Sequence, residues 1–136
     1  MATISNRIFV VEDDPEINHL ISYNLKKEGF TVESAYEGIS ASLRLKKEHF
    51  DIVILDIMLP GIDGFDICRQ VKDSKDGHRT FIIIISARDY SEDKLYAHIL
   101  GADSYFTKPF EVSRLLSEVK EMTSMLSQEL TVKHRQ

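Results

Sequence analysis

A chain of 136 residues suits one domain, and 43% apolar with 29% charged residues marks it as globular rather than disordered. Its 17 basic and 22 acidic residues leave a formal charge of −5, which excludes a broad basic footprint for nucleic acid. The longest purely apolar run, Phe81 to Ile85, is far too short to span a membrane, and the single cysteine, Cys68, excludes an internal disulfide.

Met1 to Arg7 has no apolar signal core, so a cytoplasmic protein is expected. Strands and helices then alternate five times. Strands are predicted over 7–12, 30–35, 51–56, 80–86 and 103–107. The first helix is announced by Asp14 as N-cap, Pro15 at the first helical position and Glu16 in the first turn. Ile17, Leu20, Ile21, Asn24 and Leu25 then follow one helical face, and Gly29 ends the helix. A second helix is predicted near 38–48, with Ala41, Leu43 and Leu45 apolar. A third follows Asp63-Gly64 with Phe65, Cys68 and Val71 on one stripe. Asp73 to Arg79 reads as a surface loop. The fourth helix runs near 91–100 to Gly101, and the fifth starts near Glu111.

This alternation predicts right-handed parallel crossovers and a doubly wound five-stranded sheet with five helices, of the flavodoxin-like kind. Each apolar run stops at a polar residue. Glu12 and Asp13 follow Ile8-Phe-Val-Val11, Asp56 follows Asp51-Ile-Val-Ile-Leu55, and Ser86 follows Phe81-Ile-Ile-Ile-Ile85. Lys108 ends Tyr105-Phe-Thr-Lys. The carboxyl ends of parallel strands line the ligand crevice, so these groups are expected to converge. The order 2-1-3-4-5 sets strands 1 and 3 side by side and brings Glu12 and Asp13 beside Asp56. That order is inferred from the site, not from periodicity. Three carboxylates at short range repel one another, and a hard divalent cation with oxygen ligands relieves this. The constellation suits a metal and a phosphoryl group.

Four segments carry a resemblance. They are Val10-Val-Glu-Asp-Asp-Pro15, Leu55-Asp-Ile-Met-Leu-Pro-Gly-Ile-Asp-Gly64, Ile85-Ser-Ala-Arg88 and Gly101-Ala-Asp-Ser-Tyr-Phe-Thr-Lys-Pro-Phe110. In order and spacing they resemble the receiver domain of two-component response regulators, over about residues 6–124. The resemblance implies that Asp56 accepts a phosphoryl group as an aspartyl phosphate. It implies Mg2+ as cofactor, held by Glu12, Asp13, Asp56 and the main-chain carbonyl of Met58. It makes Ser86 and Lys108 the phosphate-sensing pair, Tyr105 a switch aromatic coupled to Ser86, and the Lys108-Pro109 bond cis. Asp14 is left as a helix cap rather than a ligand. Met58 and Arg88 stand where the family tunes phosphate lifetime. Met58 has no group to position a water, so slow self-dephosphorylation is expected. His19, His49, His78, His98 and His134 show no metal-ligand spacing.

The division expected is a receiver over 1–124 and, over 125–136, an extension of the last helix serving as linker or coiled segment. Leu115, Val119, Met122, Leu126 and Leu130 continue a helical spacing into it. Lys133, His134 and Arg135 suit its C-terminal end. The implied partners are a histidine kinase or histidine phosphotransfer protein, and a downstream protein or a fused output domain beyond this chain. No direct nucleic-acid or membrane binding is expected. Some segments look like those of winged-helix transcription regulators, whose receivers dimerise through helix 4, strand 5 and helix 5. Here Ser104 replaces a common acid, and Arg114 and Glu118 reverse the usual charge order, so a homodimer is left open. The readings weighed against a switch are an aspartate-nucleophile phosphatase, a flavodoxin-like cofactor binder and a degenerate receiver used only as an interaction module. Asp56-Ile-Met58 lacks the phosphatase's second acid, and three acids after the first strand would repel a bare cofactor phosphate. The expectation is a signalling receiver that catalyses only its own phosphorylation and dephosphorylation, not an enzyme with a turnover substrate.

Overall fold

The computed structural model describes residues 6–135, with side chains described over 6–127. The elements run β1 (Arg7–Val11), α1 (Pro15–Lys27), β2 (Thr31–Ala35), α2 (Gly38–Lys47), β3 (Ile52–Asp56), α3 (Gly64–Asp73), β4 (Phe81–Ser86), α4 (Ser91–Ile99), β5 (Ser104–Thr107) and α5 (Val112–Arg135). All neighbouring strands are parallel, in the order β2-β1-β3-β4-β5. The expected sheet and strand order are therefore present.

Why the strands read as unbroken apolar runs follows from their burial on both faces. Side chains alternate across the sheet. Ile8, Val10, Ile52, Ile54, Ile83 and Ile85 meet Ile21 and Leu25 of α1 and Leu115, Val119 and Met122 of α5. The intervening Phe9, Val11, Val53, Leu55, Ile82 and Ile84 meet Ala41 of α2, Ile67, Cys68 and Val71 of α3, and Ala97 of α4. The two layers close the core above and below one sheet.

Helix boundaries follow local chemistry. Asp14 accepts hydrogen bonds from the amides of Glu16 (2.9 Å) and Ile17 (3.4 Å), and Asp63 accepts from Phe65 (2.9 Å). Gly29 and Gly101 stop α1 and α4 in the left-handed region, at φ of 96° and 101°.

Several face assignments need correcting. Leu20 and Leu43 are exposed rather than core. In α1 the buried stripe is Asn18, Ile21, Ser22 and Leu25, and its polar members meet polar groups: Asn18 the backbone carbonyls of Glu12 and Ala35, and Ser22 the Ser34 hydroxyl. The segment 73–79 contains a 3-10 turn, Gly77–Arg79, in which Gly77 is buried against the Val71 and Lys72 carbonyls. In α5, Leu115, Val119 and Met122 are buried and Leu126 is half-buried. Leu130, Lys133, His134 and Arg135 lie outside the described side chains.

Candidate functional site at the carboxyl ends of the strands

Register places the acids. β1 and β3 pair through Val11 and Leu55, so Glu12 and Asp56 stand side by side one step further on. β3 pairs with β4 through Asp56 and Ile85, and Ser86 follows. The Lys108 amide donates to the Ser86 carbonyl (2.7 Å), which brings the lysine from the far side of β4 towards the same crevice.

One carboxylate oxygen from each of Glu12, Asp13 and Asp56 lies within 4.8 Å of the others. Glu12 is fully buried, Asp56 nearly so, and Asp13 is exposed. Asp56 Oδ1 accepts from the Met58 amide (2.8 Å), and Oδ2 accepts from Lys108 Nζ (2.9 Å). Glu12 Oε2 accepts from the Asp14 amide (3.2 Å). Glu12 Oε1 is 2.5 Å from Lys108 Nζ yet has no well-directed hydrogen bond.

The electrostatics record crowding. Burial, and then the neighbouring Asp56 carboxyl, push the Glu12 pKa up to about 7 despite the opposing ammonium of Lys108. Burial alone would lower the Lys108 pKa, but the carboxylates of Glu12 and Asp56 outweigh it and the pKa is raised. A buried carboxylate oxygen without an aligned donor, beside two further acids, fits the hard oxygen chemistry of Mg2+. Asp14 is outside this group and serves as the cap.

The remaining predicted residues lie on β4 and β5 or just beyond β3 and β5. Ser86 is fully buried, and its hydroxyl accepts from the Arg88 amide (3.0 Å). Tyr105 is half-buried, and its hydroxyl donates to the Arg88 carbonyl (2.8 Å). Thr107 Oγ1 donates to Asp89 (3.1 Å), so two β5 side chains hold the loop that follows Ser86. The Lys108–Pro109 peptide is cis. The Ser104 hydroxyl donates to Glu118 (2.5 Å), which engages that acid within the chain. The Met58 side chain is exposed. Asn18 was missed as a site neighbour. Its only sequence signal is a short amide on the α1 stripe that also holds Ile21 and Leu25.

A parallel doubly wound sheet with this acidic crevice at its β1/β3 switch point defines an α/β domain of the CheY-like, flavodoxin-like fold. The family model for the response regulator receiver domain matches residues 8–120. Among solved structures, a CheY-like response regulator receiver domain protein of Methanospirillum hungatei superposes with a TM-score of 0.85 at 26% identity, over 92% of this chain and 98% of that one. The response regulator DrrB of Thermotoga maritima, an OmpR/PhoB homologue, aligns at 33% identity and a TM-score of 0.80, over 90% of this chain and 54% of its own. The receiver domain of a sensor histidine kinase of Pseudomonas aeruginosa aligns at 26% identity and 0.77, over 87% and 97%. That structure holds a magnesium ion in its active-site cleft. The chain belongs to the response regulator receiver domain family of two-component signalling. Among its described residues, no helix is long and apolar enough to cross a membrane.

Proposed function

We propose that the chain is a phosphorylatable switch that takes a phosphoryl group from a histidine kinase or histidine phosphotransfer protein onto Asp56. The observation that carries this reading is the convergence of Glu12, Asp13, Asp56 and Lys108 at one strand-end crevice. In the transfer, an Asp56 carboxylate oxygen forms a bond to phosphorus as the phosphorus–nitrogen bond of the donor histidine breaks. The electron pair leaves with the imidazole nitrogen, which is then protonated. Glu12, Asp13, Asp56 and the Met58 carbonyl would hold Mg2+, which neutralises and orients the transferring oxygens when bound. Lys108 supplies a point charge already aimed at Asp56.

Ser86 and Tyr105 are the readout pair. The Ser86 hydroxyl now accepts from Arg88, and rotating it to donate to a phosphoryl oxygen loosens the loop that Tyr105 also holds. Phosphate then favours a second arrangement of α4, β5 and α5, a population shift between two states. That face exposes Leu95 and Ile99 of α4, apolar area suited to a downstream protein or output domain. We assign residues 1–124 to the receiver and 125–136 to a linker or coiled extension, in a cytoplasmic protein that turns over no separate substrate. A homodimer through that extension or face is an open arrangement. Direct nucleic-acid binding has no place in this reading. The exposed Met58 side chain has no group to orient a water, so slow phosphate loss is expected. With the acidic pair, Asp56, Ser86 and Lys108 all present, nothing favours a degenerate interaction module.

The test is intact mass after incubation with acetyl phosphate and Mg2+, beside an Asp56→Asn control. One added phosphoryl group, absent in the control and absent without Mg2+, is the expected outcome. If no mass is added even when a histidine phosphodonor protein is supplied, the reading fails.

A further inference from the structure

We propose that Asn18 is a positioning residue for the acidic pair, acting through the backbone of Glu12 rather than on the cation itself. The inference rests on the reading that Glu12, Asp13 and Asp56 bind Mg2+. Asn18 lies on the second turn of α1 and is fully buried. Its Nδ2 donates to the carbonyl of Glu12 (3.0 Å) and to that of Ala35 (3.2 Å). Its Oδ1 accepts from the Ser22 hydroxyl (3.1 Å), which also contacts the Ser34 hydroxyl (2.9 Å). Both Nδ2 partners are carbonyls, which cannot donate, so a flipped amide would set oxygen against two oxygens.

The consequence falls on Asp13. The Glu12 amide donates to the Ala35 carbonyl (3.1 Å), and the Glu12 carbonyl is held by Asn18. The peptides on both sides of Glu12 are thereby fixed, and the second of them sets the direction in which the Asp13 side chain leaves the chain. Asp13 is exposed, and its carboxylate takes no hydrogen bond among the described residues. Only the main chain holds it towards the other two acids. A neutral amide does this without adding charge beside three carboxylates, whereas an acid there would face two carbonyl oxygens. Residues that orient metal ligands typically alter metal affinity by about 10–100-fold when replaced.

The test is Mg2+ titration by calorimetry on wild type, Asn18→Leu, Asn18→Ser and Ser22→Ala, with thermal melting of the same metal-free samples. Asn18→Leu keeps the branched heavy-atom skeleton, at a somewhat larger volume, and removes both donors. Asn18→Ser is small enough to leave room for a water, and serves where leucine is not tolerated. Ser22→Ala disturbs the same buried network but leaves both carbonyl bonds. Expected is a loss of Mg2+ affinity of roughly tenfold or more in the folded Asn18 variants. Ser22→Ala should melt earlier with its Mg2+ affinity unchanged. Wild-type affinity in a folded Asn18 variant overturns the inference while the Mg2+ reading survives. Equal losses in Ser22→Ala also overturn it, because general loosening would then be the cause. A wild type that binds no Mg2+ overturns the underlying reading, and the inference with it.

Discussion

Lys108 Nζ lies 2.9 Å from Asp56 Oδ2, across the width of β4. The same ammonium is the cation nearest Glu12 Oε1, so one lysine balances two buried acids from different strands. Replacing it by methionine leaves both acids uncompensated. Lys108→Met should destabilise the metal-free protein by ~2–3 kcal/mol, somewhat below a fully buried pair because the lysine is 18% exposed. Added Mg2+ should restore part of that loss, and its affinity should rise several-fold, since a competing positive charge has gone. Denaturant melts with and without Mg2+ check both; an unchanged affinity would mean the ammonium is screened.

Glu12 gives the pH dependence. Its folded pKa of about 7 stands above the ordinary 4.5, so the folded protein holds that proton more tightly than the unfolded chain. The stability this contributes is fully present below about pH 4.5 and is lost as pH rises through about 7. The metal-free melting temperature should therefore carry a downward component across that window, absent in Glu12→Gln. Protons compete for the same carboxylate, so Mg2+ should bind more weakly at pH 6 than at pH 8. Calorimetry at the two values decides it.

Gly64 allows the close approach of α3 to the end of β3. A Cβ there would stand 2.3 Å from Ile57 Cα and 2.9 Å from the Asp56 carbonyl oxygen, both backbone atoms. Gly64→Ala should cost ~1–3 kcal/mol of stability, because main chain must shift to relieve the overlap. The shift is centred on Asp56, so Mg2+ affinity should fall as well. A variant with wild-type melting would mean that α3 can move as a unit.

At the opposite end of the sheet, Arg7, Glu33, Arg44 and Glu48 close a ring of ion pairs at 2.5–3.0 Å. Arg7 also stacks over Phe50 at 4.5 Å. These side chains are about one-third exposed, so screening keeps each pair weak. Arg44→Met should lower the melting temperature by roughly 2–5 °C at low salt, and by less at high salt. Phosphorylation by acetyl phosphate should be unchanged, which makes this variant a stability control for the site substitutions.

The alternating pattern determined much of this protein by itself. Apolar runs ending in Glu12, Asp56 and Ser86 mark buried parallel strands, because only strands covered on both faces are apolar throughout. The same ends identify the crevice, because parallel strands share one carboxyl edge. Asp14 is legible as a cap from its own dipeptide, since capping is a contact between near neighbours. Tertiary structure alone decided what depends on distant partners. Leu20 and Leu43 look like core residues on their helices but face outward, while Asn18 and Ser22 take the buried stripe. A helical wheel shows which residues share a face; it does not show that Asn18 meets the backbone carbonyls of Glu12 and Ala35, and Ser22 the Ser34 hydroxyl, contacts that a leucine could not make. The raised Glu12 pKa has the same origin. It arises from burial and from Asp56, 44 positions away along the chain and one strand away in space.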